Sequence, residues 1–161
     1  MSTTQAGTPA TPDQMLPKAG DVRFEVTTLP VADVDRAKAF YEQLGWRLDI
    51  DFEPAPGARG VQFTPPGSPA SIQFGSGPTS MKADRPLQGL LLIVKDIEAT
   101  REDLIGRGVE VGEAFHIDPG KGPVPGPDPE GRPYFTRANF SDPDGNTWTL
   151  QEITERLPGR V

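Results

Sequence analysis

One supersecondary pattern is written twice in this chain. Leu29-Pro-Val31-Ala-Asp33-Val34 leads into Asp35-Arg-Ala-Lys-Ala-Phe-Tyr41-Glu-Gln-Leu44-Gly45. Leu92-Ile-Val94-Lys-Asp96-Ile97 leads into Glu98-Ala-Thr-Arg-Glu-Asp-Leu104-Ile-Gly-Arg-Gly108. Leu29 and Leu92, Val31 and Val94, Asp33 and Asp96, Tyr41 and Leu104, and Gly45 and Gly108 all stand 63 residues apart. Each copy has a β-branched run, an aspartate suited to cap a helix, an apolar helical face and a glycine stop. Such a duplication predicts two modules related by a pseudo-two-fold, with the function placed between the halves.

The rest of each copy reads as strands. In the first, residues 22–31 are extended and β-branched, Val34, Ala37, Tyr41 and Leu44 share a helical face, and strands follow at 46–52, 61–64 and 71–74, the last two flanking a Pro/Gly turn at 65–69. In the second, a strand at 89–94 precedes the helix and another is expected at 109–115. Residues 118–133 carry so many Gly and Pro that they read as a long loop, and a final hairpin folds around Asp142-Pro-Asp-Gly145. The expected fold class is α+β, two βαβββ modules in one domain over 21–155. Module one covers 22–75, a linker 76–87 and module two 88–154. Residues 1–20 read as a disordered leader and 156–161 as a frayed tail.

Composition narrows the function classes. With 16 Lys and Arg against 23 Asp and Glu, a net charge of −7, the chain lacks the basic footprint of a nucleic-acid or anionic-membrane binder. It has no cysteine, so disulfides, thiolate metal sites and a cysteine nucleophile are excluded. No apolar run is long enough to span a bilayer and no signal-peptide pattern opens the sequence, so the expected location is cytoplasmic. Hydrolase, nucleotide-binding and zincin motifs are absent.

Leu29-Pro-Val-Ala-Asp-Val-Asp-Arg-Ala-Lys-Ala-Phe-Tyr-Glu-Gln-Leu-Gly45, Val94-Lys-Asp-Ile-Glu-Ala99 and Phe140-Ser-Asp-Pro-Asp-Gly-Asn-Thr-Trp148, in the order βαβββ, resemble the vicinal oxygen chelate superfamily. That group holds glyoxalase I, bleomycin- and fosfomycin-resistance proteins and extradiol dioxygenases. The resemblance implies a cup-shaped mixed β-sheet around a cavity and, in many relatives, homodimers with sites shared between chains. It also implies four metal-ligand positions, which fall on Val26, Ser71, Gly89 and Thr149. Two hydroxyls, a valine and a glycine do not make a divalent-ion shell, so no cofactor and no bound metal are expected.

Strand alternation places Phe24, Thr28, Gln73 and Gln151 on the same face as those four positions. The expected ligand-binding residues are Thr28, Gln73, Thr149 and Gln151, with Gln73 and Gln151 as pseudosymmetry mates whose carboxamides orient a ligand. Catalytic residues are not assigned. His116, at the mouth of the Pro/Gly-rich segment, and Glu152 are the candidates for acid/base work. Arg59, Lys121, Arg132 and Arg137, on or beside the loops, are cations that can receive an anion. The reading that follows is a protein that binds a small organic molecule in the cup without a metal. The alternative is a metal-dependent lyase, isomerase or dioxygenase of the same superfamily using displaced ligands.

Overall fold

Aspartate caps start both helices, as the repeat requires. In a computed structural model, which describes residues 16–78 and 80–158, the Asp33 carboxylate accepts the Arg36 N–H at 3.0 Å and begins α1, Val34–Gln43. The Asp96 carboxylate accepts the Ala99 N–H at 3.0 Å and begins α2, Ile97–Gly106. Gly45 (φ +76°) and Gly108 (φ +85°) turn the chain out of the two helices in the left-handed region that favours glycine. Most of the expected leader, residues 1–15, and residues 159–161 of the expected tail lie outside the described residues.

The strands are β1 Val26–Thr28, β2 Arg47–Ala55, β3 Ala58–Thr64, β4 Ser71–Gly75, β5 Leu90–Val94, β6 Phe115–Asp118, β7 Gly122–Pro125, β8 Thr136–Ser141 and β9 Thr147–Glu152. They form two mixed sheets, ordered β1-β4-β3-β2 and β5-β9-β8-β6-β7, with β1 parallel to β4 and β5 parallel to β9. The chain is therefore α+β, with one βαβββ unit and a second carrying one extra strand.

Two differences from the sequence reading have local causes. The stretch expected as a strand at 109–115 makes only one antiparallel bridge, Val111 with Phe140, and the strand itself starts at Phe115. The expected loop at 118–133 instead holds a hairpin, β6 to β7, turning through Asp118, whose carboxylate accepts the Gly120 and Lys121 N–H groups. Pro123 and Pro125 are compatible with β7 because it is the edge strand of its sheet, so their missing N–H groups cost no interior ladder bond. Proline density signalled loop where it marked an edge.

One core serves both modules. Tyr41 of α1 is fully buried, its ring 6.0 Å from Phe63 and 5.6 Å from Phe74 in the first sheet and 6.4 Å from Trp148 in the second. Trp46 and Trp148 meet edge to face at 5.2 Å. The space behind the two sheets is thus packed with aromatic rings, which contribute beyond their buried area through such geometries.

Polar groups stitch the same seam. The Tyr41 hydroxyl donates to Asp142 at 2.9 Å and accepts from the Trp148 indole N–H at 3.2 Å. Burial, followed by the charge of Asp142, raises the Tyr41 pKa, so the phenol stays a donor. Asn146, fully buried, donates to the Pro30 carbonyl at 2.9 Å and to Asp142 at 2.8 Å, and its own carbonyl accepts the Leu87 N–H at 2.8 Å. Asp144 accepts from the Ala32 N–H and from Arg36. The Asp-Pro-Asp-Gly-Asn turn of module two is a clasp on the start of α1.

Candidate functional site

Alternation along each strand sends one set of side chains into the shared core and leaves the other set on an outer face. In β4, Ile72 and Phe74 are buried against α1, whereas Gln73 is exposed. In β9, Trp148 and Leu150 are in the core, and Thr149 and Gln151 point the other way.

On the outer face of module one, Thr28 lies opposite Gln73, and Gln73 lies opposite Gln62. The Gln73 amide donates to the Thr28 hydroxyl at 2.9 Å. A bulge in β2 between Leu48 and Ile50 brings Ile50 opposite Gln62 and Phe52 opposite Gly60. Ile50 is 42% exposed and Phe52 56%. These residues line a cleft of about 200 Å³ together with Arg59 and Ser76, and every residue lining it belongs to the first 80 positions. Deeper in the face, the hydroxyls of Thr64 and Ser71 are 2.6 Å apart, and Thr64 also donates to Asp49.

The outer face of module two is laid out in rows. Phe115, Arg137, Gln151 and Ile93 stand side by side across β6, β8, β9 and β5, and Asn139, Thr149 and Leu91 form the next row. Thr149 donates to the Asn139 side chain at 2.8 Å, and Gln151 donates to the Tyr134 carbonyl at 2.8 Å. Tyr134 has φ +75°, a left-handed conformation uncommon outside glycine, which is held by its N–H to Glu152 O bond and its hydroxyl accepting the Leu157 N–H. Leu91 and Ile93, 50% and 42% exposed, border the polar rows.

Strand register revises the pairing of the two halves. Thr28, five residues before Asp33, faces Gln73, while Leu91, five before Asp96, faces Thr149. The mate of Gln73 is therefore Thr149, and Gln151 corresponds to Gly75. Three residues separate Gly67 from β4 but only one separates Gly145 from β9, so matching the two glycines slipped the alignment by two. A slip of two keeps each side chain on its face. The expected metal positions become Val26, Gln73, Gly89 and Thr149.

Neither set fits a divalent ion, since a carboxamide, hydroxyls, a valine and a glycine offer no imidazole or carboxylate. Among the described residues no three His, Asp or Glu side chains cluster where they can hold one.

The two acid/base candidates sit elsewhere. His116 lies not at a loop mouth but within β6, opposite Thr136, 8% exposed, with Nδ1 donating to the Gly126 carbonyl at 2.9 Å. Its strand parity puts it on the face opposite Phe115 and Arg137. The Glu152 carboxylate accepts the Ile97 N–H at 2.9 Å, joining Asp96 in satisfying the first turn of α2. Of the candidate cations, Arg59 pairs with Asp51 and Asp35, and Arg132 pairs with Asp128 and Glu130 and lies 4.1 Å over the Phe135 ring. Lys121 follows the β6 turn and is exposed. Arg137 is the one on an outer face beside Gln151, a placement that the parity of residues 137, 139 and 141 carried all along.

The model of the Glyoxalase/Bleomycin resistance protein/Dioxygenase superfamily matches residues 23–150, and the chain belongs to that superfamily. Among solved structures it is similar to TnmS3, an antibiotic binding protein from Streptomyces sp. CB03234, at 32% identity over 83% of this chain and 98% of that one, TM-score 0.61. A glyoxalase/bleomycin resistance protein from the same Streptomyces is also 32% identical, over 81% of this chain and all of that one, TM-score 0.57. A superfamily member from Sphaerobacter thermophilus DSM 20745 is 27% identical over 82% and 98%, TM-score 0.58. No curated protein matches the sequence. No helix among the described residues is long and apolar enough to cross a membrane.

Proposed function

We propose that this protein binds a small, largely apolar organic molecule on the outer sheet faces, without a metal, and acts by sequestering it. The observation that carries the reading is the make-up of those faces. Ile50, Phe52, Leu91 and Ile93 are exposed aliphatic and aromatic groups set among Thr28, Gln73, Thr149 and Gln151, the mixture a pocket uses to bury a ligand's rings and fix its polar edge. The similarity to an antibiotic binding protein supports the same class of ligand. The donor set at the ion positions supports binding without a metal.

The protein acts as a homodimer in this reading. Each outer face leaves apolar side chains in water, and a second chain laid across them closes the open clefts into an enclosed pocket.

The test is a thermal-shift screen of aromatic and polycyclic natural products, followed by calorimetry on the hits, metal analysis of the purified protein and light scattering for mass. Expected are micromolar or tighter hits, no stoichiometric metal and a dimer mass. A tight ion at one per chain, restored after chelation and needed for turnover of a substrate, would replace this reading with that of a metal-dependent enzyme. Silence across the panel would remove the small-molecule reading.

A further inference from the structure

We infer that Arg137 is an anion-recognising residue of the module-two face, and that the ligand carries a carboxylate or acidic phenol on an apolar ring. This rests on the small-molecule reading above and narrows it to one charge class.

The arginines with ion pairs show what this chain does with a cation it uses structurally. Arg59 is held by Asp51 and Asp35, Arg101 by Glu98 and Glu113, Arg107 by Asp103, and Arg132 by Asp128 and Glu130. Arg137 is partly buried in the middle of a sheet, yet among the described residues its guanidinium makes no hydrogen bond and no ion pair, and its Nε–H is buried without an acceptor. Among the described residues no carboxylate is set against this guanidinium, although the chain carries 23 acidic residues. A planar group with five fixed donors, desolvated in part and left open, is complementary to a carboxylate or phenolate, which it grips with charge-assisted bonds.

The neighbours define the rest of the ligand. Phe115 flanks Arg137 on one side in the row, and Gln151 and then Ile93 on the other. The Gln151 amide nitrogen is already engaged by the carbonyl of Tyr134, a residue in the left-handed region. That leaves Arg137 as the open strong donor of the row, with apolar surface at both ends. A ring lying along Phe115 and Ile93 presents an acidic edge to the guanidinium.

The experiment uses the full chain and two isosteric probes, 2-naphthoate and neutral 2-naphthamide, in calorimetry at low ionic strength, with wild type, Arg137→Gln and Arg137→Lys. The wild type should prefer 2-naphthoate by about tenfold or more, the ordinary worth of one charge-assisted contact. Arg137→Gln should bring the two probes to within about twofold by weakening 2-naphthoate alone, and Arg137→Lys should restore part of the preference. Because Arg137 has no intramolecular partner, Arg137→Gln should melt at or above the wild-type temperature, whereas a structural arginine would lower it.

Equal affinity for the two probes in the wild type overturns the inference and leaves the small-molecule reading standing. So does a preference for 2-naphthoate that survives Arg137→Gln. An Arg137→Gln variant that changes dimer dissociation and not probe preference overturns it as well, by giving Arg137 to a carboxylate of a second copy. If neither probe binds at millimolar concentration the inference fails, and only a silent natural-product panel besides would remove the broader reading.

Discussion

The outer faces of the two modules share a frame and differ in chemistry. Module one settles its polar groups internally: Gln73 on Thr28, Thr64 on Ser71 and Asp49, Arg59 on two aspartates. Module two ties Thr149 to Asn139 and Gln151 to the Tyr134 carbonyl, and leaves Arg137 open. Duplication kept what folding needs, the capped helix and the strand order, and let the surface side chains diverge.

If the faces are independent attachments on a common frame, damage to the frame must unfold both modules, and damage to a face must stay local. Asn146→Ala breaks the frame, leaving the Leu87 N–H and the Pro30 carbonyl without their buried partner, and should cost about 3 kcal/mol in urea unfolding. The loss should appear in a single transition. Two separated transitions would show that the modules do not share one core.

The next effect originates in a module-two ion pair and depends on pH. The Arg132 guanidinium holds the buried Asp128 carboxyl down to about 2, below its ordinary 3.8. A carboxyl lowered on folding stabilises the native state in full above its unfolded value, and that stabilisation disappears as the pH falls through the folded one. Melting temperature should therefore hold down to about pH 5 and drop between about pH 4 and 2, the range set by that shift. Asp128→Asn should flatten part of that drop. An unchanged acid profile in the variant would place the sensitivity elsewhere.

Smaller effects separate the two carboxamides. Gln151→Ala strips a buried donor from the Tyr134 carbonyl and should cost about 1–2 kcal/mol. Gln73→Ala removes an exposed bond to Thr28 and should stay within about 0.5 kcal/mol by the same denaturation assay. Equal costs would mean that the two faces are equally woven into the fold.

Much of the fold was legible because it is written in local chemistry: Asp33 and Asp96 cap, Gly45 and Gly108 stop, and period-2 alternation sorts core from surface. The outer-face placement of Thr28, Gln73 and Gln151 followed from that alternation once the family resemblance had supplied the reference positions, Thr149 among them. What failed depended on loop length and on neighbours. The pairing of Gln73 with Gln151 slipped by two because residues 68–70 lengthen one turn, and no single sequence tells where an extra residue sits. The β6 to β7 hairpin hid behind its prolines, since their tolerance depends on β7 being an edge. His116 was assigned to a loop for the same reason. Arg137 stood out only once the partners of the other arginines were visible, because an unmatched charge is a property of three-dimensional neighbours.

The hydroxyl of Tyr41 and the indole of Trp148 meet across 107 positions of chain, and the bond to Asp142 spans 101. The first half therefore cannot complete its interior from its own residues, and its aromatic cluster stays wet until the last strand arrives. Collapse must wait for a long loop to close, the slow kind of step in chain topology. A fragment ending before Asp142 would expose Tyr41, Trp46 and Phe63 as a sticky intermediate, so the first copy of the repeated unit cannot stand alone.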